Sequence, residues 1–550
     1  MDFHRSTVPL LPLAFILSLL ALSLSVEVAS GQNGPAIGPS GIVDEEAVSM
    51  PTHEGPLTAP GETFGIEGGE DIPLPCSVCH GLGGTNEPAI AVNPQRPNNI
   101  AVASLFALRV STDNGATFSD PTPAQVPAGY GLGGDPSLAF DSQGRLFWTY
   151  LGRRGDTEQL DIFIAQVDST TGAILDGYPV NVTNKAGFPA SIAGNDNDKE
   201  WLAANRFPGS PFQDWLYVVW TRFTETGTVV HTMFSADQGL TWSPALTLST
   251  GGEGFVWPSH NAVAPNGDVY VAYHSQPGFT GGAPDGISGQ VFVLRSSNGG
   301  ESYPQKTVAY VPGAADITFN VQTAIRRLHR SVTWTQGSAQ PWVLPDPINP
   351  DYVYVVATDD PTNRDHGDGF DDMDVFIVRS TDRGRDWGDP VRVNTGPRGS
   401  TQFFPTAATD DLSRCLAVTW YDTRAGETNA AGHFLLDVFL RSSCDGGETF
   451  GPEVQINDEA FDPDVGAPAR FPGPPPTLRI GEYNGVAVLT GPTGFQGTVA
   501  HAVWTGNTFT DSDPTGQQIL FESVVIEREI RGPFTDVDML RESMEAAPGN

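Results

Sequence analysis

The sequence predicts an all-β fold, a β-propeller built from four-stranded blades. Three observations predict it. Five near-copies of one eight-residue phrase punctuate the chain: STDNGATF (111–118), SADQGLTW (235–242), SSNGGESY (296–303), STDRGRDW (380–387) and SCDGGETF (443–450). Short apolar or alternating runs fill the space between them, bounded by Gly, Asp, Asn and Pro, as strands and turns require. Gly 62 and Pro 46 are high counts, which suit many tight turns better than long helices.

The repeat sets the unit. Its opening serines stand at 111, 235, 296, 380 and 443, spaced 124, 61, 84 and 63. The first gap is two units long, and VDSTTGAI (167–174) sits near its middle as a degenerate copy. The gap of 84 contains an insertion, NVQTAIRRLHRSVTWTQG (320–337). A period of about sixty residues, four strands each, is a propeller signature.

The first unit reads PAIAVNP, NIAVASL, ALRVSTDNG and PAQV; the sixth reads FFPTAATDD, CLAVTWYDTR, DVFLRSSCDGG and EVQIN. After the last phrase, GEYNGVAVLTG, AHAVWTG and ILFESVVI form a further unit without it. The count is seven blades, or six if the last strands complete an earlier sheet.

Ahead of the propeller (85–530) stand two other segments. Residues 1–30 read as a secretory signal: His4 and Arg5, an apolar run at 8–26, then small residues before Gly31. Residues 31–84 are a Gly/Pro-rich linker, and 531–550 an acidic tail. No other stretch is apolar for long enough to span a bilayer. The expectation is a secreted protein.

Asp+Glu 65 against Lys+Arg 29 gives a net charge of -36. That excludes nucleic acid and anionic membranes as natural partners, because both need a basic surface. Only Lys185, Lys199 and Lys306 are lysines. Oligomeric state is not legible.

Export permits disulfides among Cys76, Cys79, Cys415 and Cys444. CSVCH (76–80) matches the short haem-attachment signature. Haem is disfavoured, since strand-like sequence follows at once where a haem domain would place helices; a local Cys76–Cys79 disulfide is the preferred reading.

The phrase itself reads as a hairpin loop between third and fourth strands. Asp accepts bonds from nearby backbone N–H groups, Gly takes positive φ, and the closing aromatic is expected to bury its ring on the same blade. The pattern Ser-x-Asp-x-Gly-x-Thr-Trp/Phe resembles the Asp box of the sialidase (neuraminidase) superfamily. The copies at Ser111 and Ser235 fit it fully, while Ser296 has Asn298 for Asp and Ser380 has Asp386 for Thr. Cys415 opens the second strand of its blade and Cys444 follows the third, so those two would pair.

The resemblance implies a sugar-binding channel mouth. Its enzymes clamp a sialate carboxylate with three arginines and use a Tyr nucleophile, a Glu and an Asp. This sequence departs from that set: no Arg-Ile-Pro occurs, and TNEPAIAV (85–92) opens the first blade without arginine. The nearest string, RIGEYNG (479–485), joins Arg479, Glu482 and Tyr483. If catalysis occurs, Tyr483, Glu482, Glu200 and Asp135 are its candidates.

The starts of the inner strands supply a ring of acids and aromatics: Glu87-Pro88, Asp135-Pro136, Asp198-Lys199-Glu200-Trp201, Trp257-Pro258-Ser259-His260, Phe404-Pro405 and Glu482-Tyr483. Glu87, Arg206, Arg222, Trp257, His260, Tyr421, Asp422, Arg424 and Arg479 are the candidate ligand residues. Asp365, Asp368, Asp371, Asp372 and Asp374 lie in one acidic Gly-turn segment, a candidate calcium loop set against a solvated acidic loop. The preferred function is ligand binding, a glycan or another extracellular ligand, at the channel mouth. An exo-sialidase and a non-catalytic adhesion or scaffold module are the alternatives.

Overall fold

A computed structural model describes residues 71–74, 86–157, 159–185, 196–276, 290–310, 340–359, 374–397, 399–465, 480–490, 498–507 and 517–526. The signal and most of the linker, Cys76, Cys79, Arg479, Asp365, Asp368, Asp371, Asp372 and the acidic tail lie outside the described residues.

Seven sheets of four antiparallel strands each make the molecule, so the seven-blade count holds. The inner strands are Ala89–Val92, Tyr130–Phe140, Asp196–Ala204, Phe255–Val263, Trp342–Pro345, Gln402–Thr409 and Gly485–Thr490. Each packs on the next, and the seventh packs on the first, which closes the ring. Helix is confined to one short turn, Thr183–Lys185, among the described residues.

Ring closure corrects one expectation. The seventh blade takes its outermost strand from the N-terminal side of the chain: Ile72–Leu74, within the expected linker, pairs with Gln517–Ile526 in the register Ile72↔Phe521. Just before it, Asp71 and Asp458 exchange bonds, each backbone N–H donating to the other's carboxylate at 3.1 and 3.3 Å.

The repeated phrase folds as a local hydrogen-bond unit. In the first copy the Gly115 N–H donates to the Ser111 hydroxyl, which donates to Asp113. Asp113 also accepts from the Thr117 N–H at 2.9 Å. The copies at Ser235, Ser296, Ser380 and Ser443 repeat the serine–glycine bond at 2.8 to 2.9 Å.

In the first and fourth copies the closing aromatic meets the preceding blade and not, as expected, its own, whereas Trp242 donates to Gly239 of its own loop and Phe450 lies under Arg441 of its own blade. Phe118 of blade one meets Phe521 of blade seven edge-on, centroids 5.1 Å apart. Trp387 of blade five donates to Thr307 of blade four at 3.0 Å. Gly115, at φ 87°, leaves no room for a side chain: a Cβ there would lie 2.4 Å from Phe521. The phrase is therefore a latch between neighbouring blades.

Cys415 and Cys444 form a disulfide joining the second and third strands of blade six, next to the Leu416↔Ser443 pair. Among the described residues no helix is long and apolar enough to cross a membrane.

Two outcomes follow from this construction. Gly115→Ala, strained in its backbone and colliding with Phe521, should cost about 1–3 kcal/mol in denaturant unfolding. The second concerns Asp71, which burial and the Asp458 charge raise to about 6, against a bond from Asp458 that lowers it. A raised folded-state pKa means stability present below pH 4 that is lost as pH rises through 6. Asp71→Asn should thus melt above wild type at pH 7, by a shift on the order of 1–2 °C, and match it at pH 4.

Candidate functional site

Four inner strands carry one extra residue at the same level. Gly134 and Ser137 pair with Leu151 and Thr149, so three steps on one strand oppose two on its neighbour. The same offset occurs at Asp198/Trp201, Val256/Ser259 and Phe403/Thr406. Such bulges re-aim side chains and cluster near functional sites.

The dipeptides read from the sequence as strand starts are these bulges or their counterparts in shorter strands. Glu87, Asp135, Lys199 and Phe404 sit there at φ 56°, 54°, 54° and 50°. Gly481 is their equivalent in blade seven, pressed so close to Glu87 that a Cβ would come within 2.9 Å of its backbone nitrogen. Blade two steadies blade three: Lys199 N–H donates to Asp135 at 3.2 Å, and Leu202 N–H to the Ser137 hydroxyl at 3.0 Å.

The residues read as a ring lie inside the channel and not at an open mouth. Glu87, Glu200, Glu482 and Tyr483 are buried, Asp135 is 9% exposed, and Asp198 is the half-buried acid of the set. Trp257 and His260 are buried in the same layer.

Aromatic rings fill the channel below the bulges. Trp201 of blade three stands edge-on to Trp342 of blade five at 4.9 Å and to Tyr483 of blade seven at 5.8 Å. These partners belong to non-adjacent blades, so Trp201 crosses the axis. His260 packs on Trp201 and Trp342, accepts the Val343 N–H at Nδ1, and is taken down to about 3 by burial. It is a neutral, structural imidazole at physiological pH.

Lys199 was not among the predicted site residues, yet it is central. Its ammonium is 3.2 Å from the Glu482 carboxylate, and the residue is 3% exposed. It stands 4.1 Å from the Tyr483 ring centroid and 5.9 Å from that of Trp257. Cation–π and ionic attraction favour a charge there, and burial works against it. The scarcity of lysine in this chain was the available signal.

Electrostatics separate the remaining groups. Burial holds the Glu200 carboxyl well above its ordinary range, and the Asp135 and Asp198 charges push the same way, so its neutral form is favoured. Burial also pushes the Tyr483 phenol well up, reinforced by Asp135, Glu87, Glu200 and Asp198. The Tyr483 hydroxyl donates to the Pro136 carbonyl at 3.4 Å.

The other predicted ligand residues do not join this cluster. Arg206 follows the inner strand of blade three, at the opposite end of the channel, where it pairs with Asp411 of blade six at 2.6 Å. Arg222 lies on the second strand of blade three opposite Asn197, with burial lowering its pKa. Arg424 is bound to Asp422 and Glu453 at 2.6 and 2.5 Å. Tyr421 is a strut to blade seven, its hydroxyl donating to the Thr505 carbonyl at 2.7 Å.

No arginine triad therefore forms among the described residues. Asp374, the one described member of the candidate calcium loop, accepts from Asn394 and pairs with Arg392, both at 2.7 Å. No group of three or more His, Cys, Asp or Glu arranged to hold a metal occurs among the described residues.

Fold and site together define a seven-bladed β-propeller with a plugged, acid-rich channel. No protein-family model and no curated protein matches the sequence. Solved propellers are similar to it in fold. A Hadza microbial sialidase shares 14% identity over 77% of this chain and 73% of its own, with a TM-score of 0.41. The NanB sialidase of Streptococcus pneumoniae shares 10% over 86% and 71%, at 0.39. A polysaccharide lyase, an ulvan lyase, shares 12% over 80% and 93%, at 0.41.

The Lys199–Glu482 pair predicts a particular stability pattern. Lys199→Met strands a buried carboxylate and should cost about 3–5 kcal/mol in chemical unfolding. Adding Glu482→Gln to that variant should recover part of the loss in a double-mutant cycle.

Proposed function

We propose that this chain is an exported propeller that binds a neutral or cationic glycan at the channel end where the inner strands begin, and does not hydrolyse sialosides. One observation carries the reading: Tyr483 is buried at the axis beside Trp201 with its hydroxyl on the Pro136 carbonyl, and burial first, then the neighbouring acids led by Asp135 and Glu87, raise its pKa. A phenol so placed resists becoming the phenolate that a nucleophile needs. The carboxylates of Asp135, Glu87 and Asp198 repel an incoming carboxylate, and Arg206 and Arg424 are engaged elsewhere, at Asp411, Asp422 and Glu453.

The positive side of the reading is the pairing of acids with aromatic rings. Asp135 of blade two and the half-buried Trp201 of blade three offer an acceptor and an apolar face, the two surfaces a sugar uses. The Cys415–Cys444 disulfide suits an oxidising compartment, and the N-terminal apolar run supplies a route to it.

A glycan array and a fluorogenic sialoside assay on the secreted protein test the proposal together. The expected outcome is binding to neutral or amino sugars, weakened roughly tenfold or more by Asp135→Asn, with no sialoside turnover. Turnover that disappears in Tyr483→Phe would sink it and establish the sialidase alternative. An array without any binding would leave the scaffold reading.

A further inference from the structure

Lys199 and Glu482 occupy an unusual position for an ion pair. They come from the inner strands of blades three and seven, which are not neighbours in the ring, and they meet across the channel at 3.2 Å. Their side chains are 3% and 8% exposed. Tyr483 and Trp257 wall the ammonium on two sides. Water-excluded, aromatic surroundings disfavour two full charges and favour proton transfer within the pair, which yields a neutral amine facing a neutral carboxylic acid.

A third carboxyl completes the arrangement. Glu200 follows Lys199 in sequence, is 2% exposed, and its carboxyl has no hydrogen-bond partner beyond its own backbone among the described residues. It lies close enough to act on the charge of both Lys199 and Tyr483. Burial favours its protonated form, the form that can give a proton and take it back.

We propose that Lys199 and Glu482 condense into an amide, a self-made covalent tie between blades three and seven. Lys199 Nζ, as the free amine, attacks Cδ of the protonated Glu482 carboxyl. The Glu200 carboxyl gives its proton to the departing hydroxyl, and the C–O bond breaks with release of water. The proton displaced from Nζ returns to Glu200. One N–C bond forms, one C–O bond is lost, one water leaves, and Glu200 ends as it began. No oxidant, metal or cofactor takes part. The bond adds a cross-channel restraint that the outer-strand closure at Ile72–Leu74 cannot provide, and it is independent of glycan binding.

Intact-mass measurement of the reduced, denatured secreted protein tests this directly, once its N-terminus has been read. The expected mass is lower than that of the mature sequence by one water. Digestion should yield a branched peptide joining Lys199 to Glu482. Lys199→Arg should restore the full mass, and Glu482→Gln should give a chain lighter by one ammonia. Glu200→Gln should leave most of the protein unlinked while keeping the wild-type circular-dichroism spectrum. A wild-type chain of full mass, with Lys199 and Glu482 in separate unmodified peptides, overturns the proposal. Complete linkage in Glu200→Gln overturns the assigned role of Glu200.

Discussion

A ring of sheets holds only if its last blade is tied to its first, and here three residues do the tying. Ile72–Leu74 complete blade seven from the N-terminal side, so the outermost strand and the other three come from opposite ends of the chain. Every other contact between blades depends on that closure, because an open arc would let each blade drift from its neighbour. Asp71 and Asp458 flank the tie with two like charges. Closure is therefore made of ordinary strand hydrogen bonds under electrostatic tension.

The recurring phrase solves the next problem, the spacing of blades. Its serine, aspartate and threonine satisfy one another within eight residues, so the loop needs nothing from the rest of the protein to keep its shape. What it offers in return is a flat glycine face and an aromatic ring for the preceding blade, as Gly115 and Phe118 do for Phe521. In the first and fourth copies that loop reaches across to the neighbouring sheet, through Phe118 and Trp387.

At the other end of the strands the extra inner residues turn side chains toward the axis. Without them the channel would be lined by regular backbone; with them it holds Glu87, Asp135, Lys199 and Glu200 in one layer above Trp201 and Tyr483. Burying several acids together is costly. The structure meets that cost by favouring the neutral form of Glu200 and by setting a buried Lys199 against Glu482. The same crowding that raises Tyr483 makes a reactive phenolate unfavourable and a neutral or cationic partner acceptable.

Much of this was legible in the sequence because its causes are local. The spacing of the phrase determined the blades, its Ser, Asp and Gly determined the turn, and the positions of Cys415 and Cys444 determined their pairing. The non-repeating dipeptides, from Glu87-Pro88 to Glu482-Tyr483, already marked the ring. Only the tertiary structure decided what that ring is. It carried Arg206 to the far end of the channel, moved Phe118 onto Phe521, drew Ile72–Leu74 into blade seven and set Lys199 beside Glu482. The physical reason is distance along the chain. A hydrogen-bonded turn is satisfied by residues a few places apart, whereas burial and the meeting of charges across a channel depend on where all seven blades stop.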